Sequence, residues 1–334
     1  MKKICGHTKH LRNGRKIFLL LCLTSASHQI LQRISFIKQL LFPALCLLAV
    51  LATGCIKDDL DECYKLRLRA ENIKGEDITA TGYVSTASLY IFDEDLNYLE
   101  TRVLDKDFII SHDEIVLDNY TADRKLNIVA WGNVNVLGDK QEVSESKRID
   151  ELKVMLKNQK TLAVMPDSLY YGIQQVQTKA SGGITENKEI VVHPKVGSVT
   201  IETINLEYGL RSRGISSVHE CDFYLNKTLS GFDYQGEQIG DSVYYNPASE
   251  PSTLNIGEWK TPNQQTACPG NSMGVSLDIN GINLGSATVD QNGKPIETKA
   301  GENTHIVLEF AEDGTLSARV QVRPWGEVND HIEF

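Results

Sequence analysis

Nowhere in this 334-residue chain do apolar residues run long enough to cross a bilayer as a helix. The longest unbroken stretch, Leu40 to Ala52, has 13 residues, against the roughly 20 that a spanning helix needs. Cysteine is also sparse, seven in all with no C-x-x-C, which speaks against a structural zinc site or a thioredoxin-like redox motif. The helical zinc-protease signature H-E-x-x-H and the phosphate loop G-x-x-x-x-G-K-[ST] are both missing. Asp58, Asp59 and Asp61, or Asp93 and Asp95, do not complete a calcium loop with its glycine and distal glutamate. His219-Glu220-Cys221 comes nearest to a reactive pair, because alternate residues of a strand share a face, yet a surface histidine beside a half-cystine is the simpler occupant. The chain therefore reads as non-enzymatic, with no catalytic, cofactor-binding or metal-ligating residue.

Charge divides it sharply. The first 54 residues hold eight Lys or Arg and no acid, the mark of a targeting leader. What remains sets 26 basic against 44 acidic side chains, a formal charge of −18. That sign repels phosphate backbones, whose binding relies on Lys and Arg displacing counterions, so no nucleic-acid partner is expected.

Leu40 to Ala52 reads as a signal-peptide core, and small residues follow it into a cysteine at Leu51-Ala52-Thr53-Gly54-Cys55. This resembles a lipobox, and the likeness implies diacylglycerol and palmitate on Cys55 after cleavage of residues 1–54. The acidic tether at 55–63 opens with Lys57, Asp58 and Asp59, which resemble the export signal that carries lipoproteins to the outer face of the outer membrane. A surface-exposed, lipid-anchored protein of the cell outer membrane is the expected localisation. Cys5, Cys22 and Cys46 leave with the leader, so Cys63, Cys221 and Cys268 are the candidates for one disulfide in an oxidising envelope; three thiols leave the pairing open.

Beyond the tether the apolar period is two. Leu66 and Leu68 alternate with Lys65, Arg67 and Arg69, and strand-like runs recur at Ser88 to Phe92, Leu126 to Trp131, Ile190 to Val192 and Val196 to Ile204. Others span Val275 to Ile279, Thr304 to Phe310 and Leu316 to Val322. Turn clusters such as Asp93-Glu94-Asp95 and Asp290-Gln291-Asn292-Gly293 separate them. Only Ser144 to Lys157 has helical spacing, through Ile149, Leu152, Met155 and Leu156, and a connecting helix is expected there. Many short strands imply an all-β fold of sandwich type, with domains at 64–187 and 188–334 divided near Gly182-Gly183. The three tryptophans read as core or edge packing.

Several phrases taken in order resemble the FimB-type (Mfa-like) minor fimbrial subunits of Bacteroidales, anchor lipoproteins of type V pili. They are Asp59-Leu60-Asp61-Glu62-Cys63 with the Lys65 to Arg69 strand, Leu89-Tyr90-Ile91-Phe92-Asp93 with Tyr98-Leu99, and Asn127 to Asn133 ending in Trp-Gly-Asn. Val196 to Ile201 and Val320 to Trp325 echo the family further on. The resemblance implies two tandem transthyretin-like β-sandwich domains and a role at the base of a fimbrium, with fimbrial subunits and the outer membrane as partners. Such subunits join by strand addition, in which main-chain hydrogen bonds give strength and alternate side chains give specificity. Leu316, Ala318, Val320, Val322 and Trp325 form the candidate donor or edge strand, its simpler reading being the last strand of a closed sandwich. The main pilin loses its first strand to a protease, a cut that would here discard the lipid, so no such maturation is expected. The alternative function is a surface glycan-binding or nutrient-capture lipoprotein, which calls for a cleft with two or three coplanar exposed aromatics.

Overall fold

The computed structural model describes residues 64–134, 139–179 and 182–325. Cys55, Lys57, Asp58, Asp59 and Cys63 lie outside the described residues.

The chain begins with strands β1 (Leu66–Ala70), β2 (Ala87–Phe92), β3 (Tyr98–Leu104) and β4 (Lys125–Gly132), with a short helix α1 (Lys106–Ile110) after β3. Four short strands follow: β5 (Gln141–Val143), β6 (Val154–Leu156), β7 (Asn158–Gln159) and β8 (Leu162–Ala163). Then come β9 (Tyr170–Gln177), β10 (Lys188–Pro194), β11 (Gly197–Ile204) and helix α2 (Leu206–Ser212). The rest comprises β12 (Cys221–Phe232), β13 (Gln238–Tyr245), β14 (Glu250–Pro251), β15 (Trp259–Lys260), β16 (Gln265–Ala267) and β17 (Gly270–Ile279). It closes with β18 (Ile282–Ala287), β19 (Ile296–Thr298), β20 (Glu302–Phe310) and β21 (Leu316–Pro324). Every strand-like run read from the sequence falls in one of these, and the fold is all-β.

Three sheets result. The first has the order β1-β10-β9-β4-β2-β3, the second β14-β15-β11-β20-β21 with β16 also on β11. The third is built on β18-β17-β12-β13-β8-β7, with β19 on β17 and the β5-β6 hairpin on β12. The second and third sheets bury Val199, Ile201, Ile306 and Leu308 against Phe223, Leu225, Val275 and Leu277 in one core. The first sheet buries Leu66, Leu68, Leu89, Ile91, Ile128 and Ile190 in another, closed by Ile109 of α1.

Strand β4 serves both cores. Leu126, Ile128 and Ala130 face the first, whereas Val129 and Trp131 face the second, where the indole meets Tyr171 at 5.0 Å and Phe232 at 5.7 Å between ring centroids. The strands do not divide at residue 187. β10 pairs in parallel with β1 and antiparallel with β9, because Ile190 and Val192 complete the core opened by Leu66, Leu68 and Ala70. β6 and β8, from the other side of that boundary, pair with β12 and β13.

The helix expected over Ser144 to Lys157 does not form. Its place is taken by a one-turn 3-10 helix at Ile149–Glu151 and by β6. Val154 and Leu156 are buried with Met155 between them half-buried, a strand alternation imposed by pairing with Gly231 and Phe232 of β12. Tertiary pairing thus overrides a local helical period. Among the described residues six turns share one geometry, with the residue that opens the turn accepting the N–H three places on and donating to the C=O four places on. Asp290 opens one and Gly293 supplies its positive φ, 76°; Asp93 opens another, where Leu96 takes φ 66°, a conformation costing an L-residue about 1–2 kcal/mol.

Candidate functional site

β21 is the terminal strand of the second sheet, paired with β20 over nine residues from Phe310↔Leu316 to Glu302↔Pro324. Trp325 N–H continues the ladder to the Gly301 carbonyl at 2.9 Å, which fixes the phase. Odd-numbered residues of β21 direct their main-chain groups at β20, and even-numbered ones direct theirs outward. On that outward side the Ala318 carbonyl accepts Gln291 N–H at 2.8 Å. Among the described residues, the N–H and C=O of Val320 and Val322 have no partner there.

Side chains divide the same way. Ala318 is buried, Leu316 and Val320 pack on the core, and Val322 is 47% exposed. Val320 and Val322 form one wall of a groove of about 490 Å³, whose other wall carries Asp290, Asn292, Lys294, Glu297 and Lys299. That wall is firm: Asp290 accepts Asn292 N–H and Lys294 N–H, each at 2.8 Å, and these bonds, led by the one from Lys294, hold its carboxyl below the usual range. Lys299 pairs with Glu297 at 3.0 Å. The groove thus sets two valines of a strand edge against a rim of both charges.

The end of β21 is pinned. Trp325 Nε1 donates to Ser198 Oγ at 2.9 Å, Ser198 donates in turn to Asn303 Oδ1 at 2.9 Å, and the indole lies 6.3 Å from the Tyr170 ring. Trp325 packs on both cores. The five strand residues singled out from the sequence, Leu316, Ala318, Val320, Val322 and Trp325, thus stand together on one element, as an edge.

Cys221 and Cys268 are buried free thiols and do not pair with each other. Cys221 opens β12 opposite Ile279, and Cys268 N–H donates to Tyr245 Oη at 3.3 Å. Burial pushes each thiol up to about 12, so neither supplies thiolate for exchange near neutral pH. His219 is exposed and bonded to Ser217 Oγ at 3.0 Å, on the other side of the strand start from the inward thiol.

One motif escaped the sequence reading. Gly270-Asn271-Ser272-Met273-Gly274 carries the letters G-x-S-x-G, but a nucleophile elbow needs a strand-to-helix turn, and this run lies inside β17. Among the described residues no three His, Cys, Asp or Glu side chains are grouped to hold a metal ion. The Trp-Gly-Asn phrase also acquires a structural meaning. Asn133, buried at φ 58°, accepts Ser85 N–H at 2.8 Å and donates to the carbonyls of Tyr83 and Ser168 at 2.8 and 2.9 Å.

Comparison with known proteins agrees with this geometry. Residues 60–331 match the family model of the fimbrillin-A associated anchor proteins Mfa1 and Mfa2. The major fimbrium anchoring subunit FimB of Porphyromonas gingivalis is 22% identical over 307 residues, covering 89% of this chain and 98% of FimB. Among solved structures, the fimbrial anchor protein Mfa2 from Porphyromonas gingivalis superposes with a TM-score of 0.51 at 16% identity, covering 78% of this chain and 97% of Mfa2. A candidate adhesin from Bacteroides ovatus does so at 0.60 and 12%, over 78% of this chain and 94% of its own. An all-β body with a pinned terminal strand, matched along most of its length, places the chain in the family of fimbrillin-A associated anchor proteins.

Proposed function

We propose that this chain anchors a fimbrium at the outer membrane, with a lipid on Cys55 holding it to the bilayer and the outward edge of β21 receiving a strand from the adjoining subunit. The supporting observation is the row of unpartnered main-chain groups at Val320 and Val322 beside a groove whose far wall is charged. β21 acts as recipient. To act as donor it would leave nine paired positions on β20 and withdraw Trp325 from Ser198, which exposes buried Ile306 and Leu308. An incoming strand instead adds hydrogen bonds without breaking any.

The anchor half of the reading rests on the basic leader and on Leu51 to Cys55. A single acyl chain binds membranes only marginally, so stable retention requires the multiply acylated cysteine of a lipoprotein. The protein carries an epitope tag in its host, fibres are sheared from the cells, and the tagged chain is captured. Fimbrial subunits co-isolate, and Cys55→Ala releases fibres into the medium. Capture with no fimbrial subunit contradicts the proposal.

A further inference from the structure

A second hollow lies away from the β21 groove. Tyr83, Ser168, Tyr170, Gln264, Thr266 and Trp325 line about 420 Å³. An adjoining hollow of about 750 Å³ shares Ser168, Gln264 and Thr266, and is walled by Leu162 to Pro166 on one side and Asn263 to Thr266 on the other. Each is within the size of small-ligand sites, and the shared residues join them into one channel with an aromatic end and an amide-rich middle. We infer that this channel binds a neutral oligosaccharide.

Charge is the first reason. The chain past its leader carries −18, yet among the described residues the only ionised groups in the channel, Lys140 and Asp167, neutralise each other at 2.9 Å. An anionic ligand finds no unpaired cation, and a cationic one finds no unpaired carboxylate. Chemistry is the second. Gln264 Oε1 lies 3.3 Å from Ser198 Oγ, whose proton goes to Asn303 Oδ1; the amide N–H groups of Gln264 have no partner among the described residues, and neither does the side chain of Asn263. An amide offers two donors and an acceptor in one plane, which matches adjacent hydroxyls that each donate and accept. A wholly apolar ligand would strip water from those amides and leave them unsatisfied. At the other end Tyr83, 55% exposed, and the half-buried Trp325 offer ring surface to the C–H face of a sugar.

The walls are also preorganised. Asn133 clamps the Tyr83 and Ser168 carbonyls together, Thr266 Oγ1 donates to the Pro166 carbonyl, and Trp325 is fixed by Ser198. Ligand binding therefore orders few side chains, which lowers its entropic cost.

The test screens the full chain, solubilised in detergent, on an array of neutral, sialylated and sulfated glycans, then titrates the strongest neutral oligosaccharide. Binding confined to neutral glycans is expected, weakened at least tenfold by Tyr83→Ala and by Gln264→Ala. Both residues are exposed, so the variants keep the parent melting temperature. Val320→Pro, in the other groove, leaves the affinity unchanged, which separates this result from capture of fimbrial subunits. A blank array, a preference for charged glycans, or binding indifferent to both channel variants overturns the inference.

Discussion

The first strand and the last are both terminal strands of their sheets, yet the outward side of one is bonded near both ends and that of the other at a single residue. β1 pairs in parallel with β10 on one side. On its outward side the Leu66 carbonyl accepts Ile115 N–H at 2.9 Å, the Ala70 carbonyl accepts Ile78 N–H at 2.8 Å, and Ala70 N–H donates to Thr79 Oγ1 at 2.9 Å. Arg69, held by Glu71 and Glu189 at 2.7 and 3.1 Å, guards its solvent face. β21 has one such cover, Gln291 on Ala318, and two exposed-edge valines. An unpaired edge is an invitation to another strand. Of these two edges β21 extends such an invitation, whereas β1 is covered at Leu66 and Ala70.

This contrast predicts where damage is worst. Leu68→Ala, at a fully buried β1 position, should cost about 2–5 kcal/mol in denaturant unfolding, and proteolytic removal of β1 should unfold the first sheet rather than open a usable groove. A protein that loses β1 and stays folded would undo the distinction between the two strands.

Next in size is a proline pair within β21. Gln321→Pro removes an inward N–H opposite His305 and should cost about 3 kcal/mol. Val322→Pro removes only an outward N–H, where proline is tolerated, so its melting temperature should stay close to the parent while fibre capture is lost. Equal stability losses for the two would show that the phase of β21 is not as described.

The cap on β1 comes third. Thr79→Val should cost about 1–3 kcal/mol by leaving the buried Ala70 N–H unpaired; an unchanged denaturation midpoint would show that water replaces the hydroxyl.

The smallest effect is one of pH. Burial alone would raise the Asp77 carboxyl, but hydrogen bonds from the Thr79 side chain and main chain outweigh it and hold the carboxyl below its usual value. A carboxyl depressed in the folded state stabilises above its unfolded value, near 4, and that contribution is lost as pH falls through the folded one. Hydrogen exchange at Ala70 should accelerate below about pH 4, and Asp77→Asn should flatten that response.

The sequence disclosed the first strand better than the longest. Leu66 and Leu68 between basic residues announce β1, and Asp290-Gln291-Asn292-Gly293 announces its turn. β12 left a weaker trace because a bulge at Lys227, with φ 67°, shifts its phase. Phe223 and Leu225 point inward before it, but Thr228 and Ser230 do so after, so the apolar period breaks halfway. β5 to β8, at two or three residues each, are shorter than any pattern. The candidate site was legible as a row of alternating residues from Leu316 to Trp325. Its openness was not, since an edge is open only by virtue of what fails to cover it. The channel at Tyr83 and Gln264 was invisible for the same reason: its walls are 181 positions apart in the chain and meet through pairing of β16 with β11 and through the bonds of Asn133 and Thr266.

Amide hydrogen exchange across 316–325 tests the account most directly, measured on the free protein and on its complex with subunits from sheared fibres. In the free protein Gln321 and Arg323 should be protected by β20 while Val320 and Val322 exchange quickly, and in the complex Val320 and Val322 should become protected as well. If those two amides exchange at the same rate in both states, the fimbrium is not joined through this edge.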